Sequence, residues 1–185
     1  MITLRKYKPE DKEQLRKICI ETSRLPIETQ SQRDFLLLLY NDYYTEVEPD
    51  NCIVAADEDD IPVGYIICAQ NFKAYVKTFS KFYLPEIKEL GYDFFIQAVM
   101  EMAGHSLYAR KYPAHLHIDI LDICQGQGVG TKLIAELKEN LKKKGINSLM
   151  LSCGADNTGA IRFYKRNDFK VLNTLFGGCV MGSKF

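Results

Sequence analysis

Hydrophobic and polar positions change period several times along the chain, and each change marks an element. Residues 1–5 read as a short strand, and Lys8-Pro9-Glu10-Asp11 as a turn with a helix start, after which Leu15, Ile18 and Cys19 recur at helical spacing. The chain turns at Leu25-Pro26, and a second helix is expected over residues 32–43. Because positions 35–40 are apolar almost all round, that helix is either deeply buried or lines a pocket. Residues 52–56 and 61–68, on either side of the acidic turn 57–60, read as an antiparallel hairpin, with the turn acids in solvent. Residues 71–113 are rich in Phe, Tyr and Lys, with helices expected near 80–90 and 93–104. No composition shift marks a separate domain there, so the stretch reads as a helical insert and a candidate substrate wall.

Beyond residue 114 the pattern sharpens. Residues 115–121 alternate, with Leu116, Ile118 and Ile120 on one face and His115, His117 and Asp119 on the other. The glycine-rich turn Gln125-Gly126-Gln127-Gly128-Val129-Gly130 follows, then an amphipathic helix marked by Leu133, Ile134, Leu137 and Leu141. That helix ends in Lys142-Lys143-Lys144-Gly145, cations and a glycine that suit the helix dipole and a left-handed cap. A strand over 148–152, a loop over 154–158, a helix over 160–166 and strands at 169–173 and 179–181 close the chain. Strands and helices interleave with no internal repeat, the order of an α/β (α+β) domain.

Composition narrows the function classes. At 185 residues, 46% hydrophobic and 26% charged, one domain with an ordinary core is expected over residues 1–185. The 24 basic and 24 acidic residues cancel, which removes the charge footprint of a nucleic-acid binder. No apolar run approaches the roughly 18 residues of a membrane span, and the first residues lack a signal-peptide core, so a cytoplasmic protein is expected. The six cysteines, at 19, 52, 68, 124, 153 and 179, form no C-x-x-C pair. They read as small buried hydrophobes in a reducing compartment, with no metal site, although Cys124 and Cys153 near the glycine turn leave a reactive-thiol reading open.

A strand, a glycine turn and a helix start hold an anion, because successive N–H groups and the helix dipole converge on one point. The nucleoside-triphosphate loop requires Gly-Lys-Ser/Thr, whereas the order here is Gly130-Thr131-Lys132. A dinucleotide fold requires G-x-G-x-x-G, and after Gly126 and Gly128 the third glycine would fall at Thr131. The spacing that fits is Gln-x-x-Gly-x-Gly. Gln125 to Gly130 resembles the coenzyme A pyrophosphate loop of the GNAT family of N-acetyltransferases. The segment from Asn157 through Ala160, Phe163 and Tyr164 to Phe169 is similar to that family's closing N-x-x-A-x-x-F-Y-x-x-x-G-F motif. With the first strand, two helices and hairpin, the resemblance covers nearly the whole chain. It implies the GNAT fold, a central mixed, mostly antiparallel, twisted sheet flanked by helices, with the insert placed before the coenzyme-binding strand. Two departures stand out: Asp122-Ile123 replaces a frequent proline after the strand, and Asp168 replaces the closing glycine, so Asn167 is expected to take the left-handed conformation. Residues 115–121 also resemble the acetyltransferase-like domain attached to some O-GlcNAcases.

The resemblance implies acetyl transfer from acetyl-CoA to an amine by direct attack, with acetyl-CoA and the amine acceptor as partners and a monomer or homodimer as the assembly. Pyrophosphate would lie on Gln125, Gly126, Gln127, Gly128, Val129, Gly130 and Thr131; pantetheine would pair with the backbone of Ile118, Ile120 and Leu121, near Asn157 and Phe163. Tyr164 matches the family's acid for the departing thiolate, and is equally suited to core packing beside Phe163. Asn157 matches a pantetheine contact and also suits a helix cap. A base for the amine is offered by His117 and Asp119, with His115 beside them; the same residues suit a satisfied polar pair on the strand. The acceptor is expected between the helix around residues 35–40 and the insert. A coenzyme-binding or partner-binding module without catalysis is the alternative, since fold alone does not fix function.

Overall fold

The computed structural model describes residues 1–175 and 177–185. Seven strands form one sheet in the order β1 (Thr3–Lys6), β2 (Ile53–Ala56), β3 (Pro62–Ala69), β4 (Ala114–Ile120), β5 (Ser148–Gly154), β7 (Gly178–Lys184), β6 (Lys170–Leu175). Every pairing is antiparallel except β4 with β5. That parallel pair is short: register holds only at Ala114–Leu149 and His115–Met150. Beyond those two rungs β4 runs on to Ile120 and β5 to Gly154 without pairing, so the sheet opens into a V at its centre.

Helices cover both faces. On one lie α1 (Lys12–Glu21), α2 (Gln30–Leu37), α3 (Tyr43–Val47), α4 (Phe72–Leu90) and α5 (Tyr92–Ser106), around a core that includes Phe35, Tyr43, Tyr44, Tyr65, Tyr75 and Phe79. On the other lies α6 (Val129–Lys143), whose Leu133, Ile134, Leu137 and Leu141 pack with Leu116, Leu149 and Leu151; Tyr164 of α7 (Thr158–Arg166) joins the same core. The two cores follow directly from the alternation of β4, which sends Leu116 to one face and His115 to the other.

The expected second helix begins earlier, at Gln30, because Thr29 and Gln32 form a reciprocal capping box. It then widens into a π-helical turn, Leu38–Asp42, before α3. Such a bulge re-aims side chains, and here it carries Tyr40 to the cleft described below. The first insert helix starts at Phe72 rather than near residue 80, because the Asn71 side chain accepts hydrogen bonds from Lys73 N and Ala74 N. The turn after α7 corrects a second expectation. Asn167 keeps a negative φ, and Asp168 itself adopts φ +66°, a conformation short polar side chains tolerate. Asp168 thus does what glycine would do, while Asn167 Nδ2 donates to Phe163 O at 2.8 Å.

Candidate active site

The V between β4 and β5 opens into a cleft of about 1530 Å³. Its floor is the diverging backbone. Leu121 N–H donates to Val63 O on the β3 side, so by antiparallel alternation Asp119 and His117 also face β3, while Ile120 and Ile118 turn their N–H and C=O into the V. The N–H and C=O of Ile118 and the N–H of Ile120 are therefore free of the sheet, whereas the N–H of Leu121 is committed to it. Gln125 reinforces this corner, its Nε2 donating to Ile120 O at 3.2 Å and to Asp122 Oδ1 at 2.7 Å.

At the mouth of the V stands the N-terminus of α6. Its cap residue Gly128 has φ +77° and no side chain to offer, so the first-turn N–H groups of Val129, Gly130 and Thr131 have no side-chain cap among the described residues. Gly126 takes φ +76°, and a Cβ at either glycine would project into open space. Both conditions suit an anion seated on backbone N–H groups. Gly130 has a different role: a Cβ there would lie 2.8 Å from Phe163 Cζ and 3.2 Å from Ile120 Cδ1, so its bareness lets α6 close on α7 and β4. Gln127 folds back to donate to Ile123 O.

Asn157, Phe163 and Tyr164 border the same cleft. The Asn157 side chain accepts a hydrogen bond from Ala160 N at 3.0 Å and so caps α7, the second of the roles open to it. Tyr164 is 8% exposed, and burial raises its phenol well above the usual range, which keeps it a protonated donor at neutral pH. Cys153 also borders the cleft. Burial pushes its thiol up to about 12 and raises Cys124 as well, so neither has thiolate character at neutral pH. All six cysteines are free. Among the described residues no cluster of three or more His, Cys, Asp or Glu could hold a metal ion, and no helix is long and apolar enough to cross a membrane.

The polar face of β4 forms the inner wall. Asp119 accepts from Tyr65 Oη at 2.5 Å and from Thr22 Oγ1 at 3.1 Å. Burial raises the Asp119 carboxyl above its ordinary range, and these two hydrogen bonds pull it partly back. His117 Nε2 lies 2.9 Å from Tyr44 Oη, and burial pushes the ring down to about 3, so it is neutral. Opposite this wall the cleft is bordered by Leu36 and Tyr40, and by Asp93, Ile96, Met100 and Glu101 of α5. The insert therefore does border the cleft beside the second helix. Tyr44, Tyr65 and Thr22 were not singled out from sequence.

A family model described as the acetyltransferase (GNAT) family matches residues 13–169. The chain belongs to the GNAT acetyltransferase family. An uncharacterized N-acetyltransferase of Methanocaldococcus jannaschii is 46% identical over 46 residues, a match spanning 25% of this chain and only 20% of that protein. Among solved structures, SsHAT superimposes with a TM-score of 0.87 at 24% identity, covering 99% of this chain and 98% of that one. The PaiA N-acetyltransferase of Thermoplasma acidophilum in complex with coenzyme A gives a TM-score of 0.63 at 18% identity, over 100% and 99% of the two chains. The polyamine N-acetyltransferase of Drosophila melanogaster, which forms N-acetylagmatine, gives 0.67 at 15%, over 98% of each. These likenesses establish the GNAT fold for the whole chain.

Proposed function

We propose that this GNAT protein is an acetyl-CoA-dependent N-acetyltransferase that passes acetyl directly to a primary amine. The observation that carries the reading is the central V, with the bare N-terminus of α6 at its mouth and the polar face of β4 along its inner wall. Coenzyme fits this arrangement by chemistry. The N–H groups of residues 128–131 suit pyrophosphate, and the backbone of Ile118 and the N–H of Ile120, which face the V, suit the amides of pantetheine. The similar PaiA enzyme was solved with coenzyme A, which supports the same use here.

The amine nitrogen bonds to the acetyl carbon as the carbon–sulfur bond breaks. His117 accepts the amine's proton, directly or through water, and Tyr164 donates one to the departing sulfur. Asp119, held by Tyr65 on the same face of the sheet, sets the electrostatics of the wall and is the second candidate for the amine's proton. The acceptor enters from α5, where Asp93 and Glu101 favour a cation and Ile96, Met100 and Tyr40 favour an apolar body. A cytoplasmic location fits this chemistry, since acetyl-CoA is an intracellular metabolite. The test is thermal shift with acetyl-CoA, followed by thiol release with polyamines, amino sugars and amino acids. Binding without thiol release from any amine would refute catalysis in favour of a coenzyme-binding module.

A further inference from the structure

The three histidines of the chain, His105, His115 and His117, gather behind the cleft wall. Tyr44 of α3 joins two of them, its hydroxyl 2.8 Å from His115 Nε2 and 2.9 Å from His117 Nε2. His105 of α5 has Nδ1 3.1 Å from the Glu101 carbonyl oxygen and 3.6 Å from the Glu101 carboxylate. Two buried ring nitrogens, His115 Nδ1 and His105 Nε2, have no partner among the described residues. Their rings lie 5.4 Å apart, and both border a cavity of about 10 Å³ shared with Tyr44, Tyr75 and Glu101. A buried water needs roughly 10–15 Å³ and two to four polar partners. Both orphaned nitrogens are answered by one.

Two sets of tautomers satisfy every contact. In one, the protons run from His117 through Tyr44 and His115 to the water. In the other, the water donates to both rings, His115 Nε2–H donates to Tyr44, Tyr44 donates to His117 Nε2, and His117 Nδ1 keeps its proton. A carbonyl only accepts, so His105 carries its proton on Nδ1 and its Nε2 accepts from the water. In the first set His115 donates to that water from Nδ1 and accepts at Nε2 from the Tyr44 hydroxyl. Tyr44 oxygen in turn accepts from His117 Nε2–H. This leaves His117 Nδ1 as an acceptor on a ring that borders the cleft.

We propose that a water in this cavity completes a proton relay from His117 through Tyr44, His115 and His105 to Glu101, which carries the acceptor amine's proton away from the reacting nitrogen. The proposal rests on the acetyltransferase reading and adds the route and its members. The amine's proton enters at His117 Nδ1. The Nε2 proton passes to Tyr44 oxygen, the Tyr44 proton to His115 Nε2, the His115 Nδ1 proton to the water, and a water proton to His105 Nε2. Each intermediate group gains one proton and loses one, and the positive charge ends on His105. His105 gives up its Nδ1 proton to the Glu101 carboxylate, 3.6 Å away, and Glu101, 26% exposed, passes it to solvent.

The surroundings favour transit over storage. Burial holds His115 and His117 well below the ordinary histidine range, so neither keeps the charge. Around them, Tyr40 of the π-helical turn, Tyr75 of α4, Cys68 of β3 and Cys19 of α1 are pushed up by burial and stay neutral, and Asp119 of β4 is raised as well. Among the described residues, Glu101 is the one carboxylate against His105.

The test uses Tyr44→Phe and His105→Phe, which keep ring volume and remove the relay atoms. Each is expected to lower kcat at pH 7 by roughly tenfold or more, with acetyl-CoA affinity within twofold of wild type. The lost rate should return as pH approaches the amine's own pKa, because the acceptor then arrives deprotonated. A folded variant with unchanged kcat, or a loss that is flat with pH, overturns the relay. Nitrogen-15 NMR of the wild-type imidazoles gives a second readout that needs neither activity nor a stable variant. His117 protonated at Nε2 with His115 protonated at Nδ1 supports the relay, and the reverse tautomers, with His117 protonated at Nδ1, overturn it. Wild-type protein that acetylates no amine overturns the catalytic reading itself, while the tautomers still decide the direction of the hydrogen bonds.

Discussion

Gly128→Val separates the backbone role of the glycine turn from its ligand role. Gly128 sits at φ +77°, and a Cβ added there would meet no atom within 4 Å, so the substitution makes no steric clash in the protein. Its cost to folding is the left-handed conformation, about 1–2 kcal/mol for a non-glycine residue, with β-branched valine at the upper end. For a chain of this size each kcal/mol lowers Tm by roughly 2–4 °C, giving a drop of about 2–8 °C. The ligand cost is separate: the new side chain occupies the space through which phosphate oxygens reach the N–H groups of α6. Acetyl-CoA affinity should fall at least tenfold, about 1.4 kcal/mol. Gly145 is the matched control, because it has φ +75°, open space at its Cβ, and a place at the opposite end of α6. Gly145→Val should lose similar stability and no affinity. Calorimetric titration with acetyl-CoA and a melting curve on each variant decide the matter. Equal affinity in the two variants would refute the pyrophosphate assignment, whether both were intact or both impaired.

Three further outcomes are expected. Tyr164→Phe should lower kcat by about 100-fold or more while acetyl-CoA affinity stays within twofold, since its proton is needed only as the thiolate leaves; a loss below about threefold would assign the ring to packing. Gly130→Ala should cost about 1–3 kcal/mol in denaturant unfolding through contact with Phe163 and Ile120, and Phe163→Leu should recover part of it, so strictly additive losses would contradict the contact. For pH, His115 is buried with its pKa depressed, so its contribution is present above about pH 6.5 and is lost as pH falls toward the folded-state value. Relative to His115→Gln, the wild type should lose about 2 kcal/mol between pH 7.5 and 5, and a constant difference across that range would show that His115 is not buried neutral.

The sheet and the glycine turn were legible because their signals are local. The alternation of residues 115–121 maps onto β4, with Leu116 in one core and His115 on the opposite face. The spacing of Gly126, Gly128 and Gly130 reflects two needs that glycine meets at least cost, positive φ at the first two and close packing at the third. The insert was harder to read. Phe72, Tyr75, Phe79, Tyr83 and Ile87 recur at helical spacing and are all buried in α4, but aromatic richness and Pro85 mask the helix signal, and its start depends on a single Asn71 cap. The partners of His117 and Asp119 were illegible for another reason. Tyr44, Tyr65 and Thr22 lie 73, 54 and 97 residues away from them in sequence, and only the closed sheet brings them together. Asp168 shows a limit of motif matching: the motif asks for glycine, while the backbone asks for a left-handed residue, which aspartate also supplies.

The polar side of β4 is best understood as a consequence of where the sheet splits. A strand buried on both faces is usually apolar throughout, because each unsatisfied polar group there costs about 1–3 kcal/mol. β4 departs from this with His115, His117 and Asp119 in succession on one face. Its even-numbered residues turn their side chains toward α6, and those at 118 and 120 turn their backbone into the V. Its odd-numbered residues turn their backbone to β3 and their side chains toward α3 and α5. One strand therefore presents backbone to the V and polar side chains to the opposite face, separated by the pleat alone. The polar groups are tolerated because Tyr44, Tyr65 and Thr22, from three different elements, hydrogen-bond to them. Those hydroxyls also fix the rings and the carboxylate in place, so the groups that desolvation makes costly are the ones the surrounding elements hold in a single arrangement.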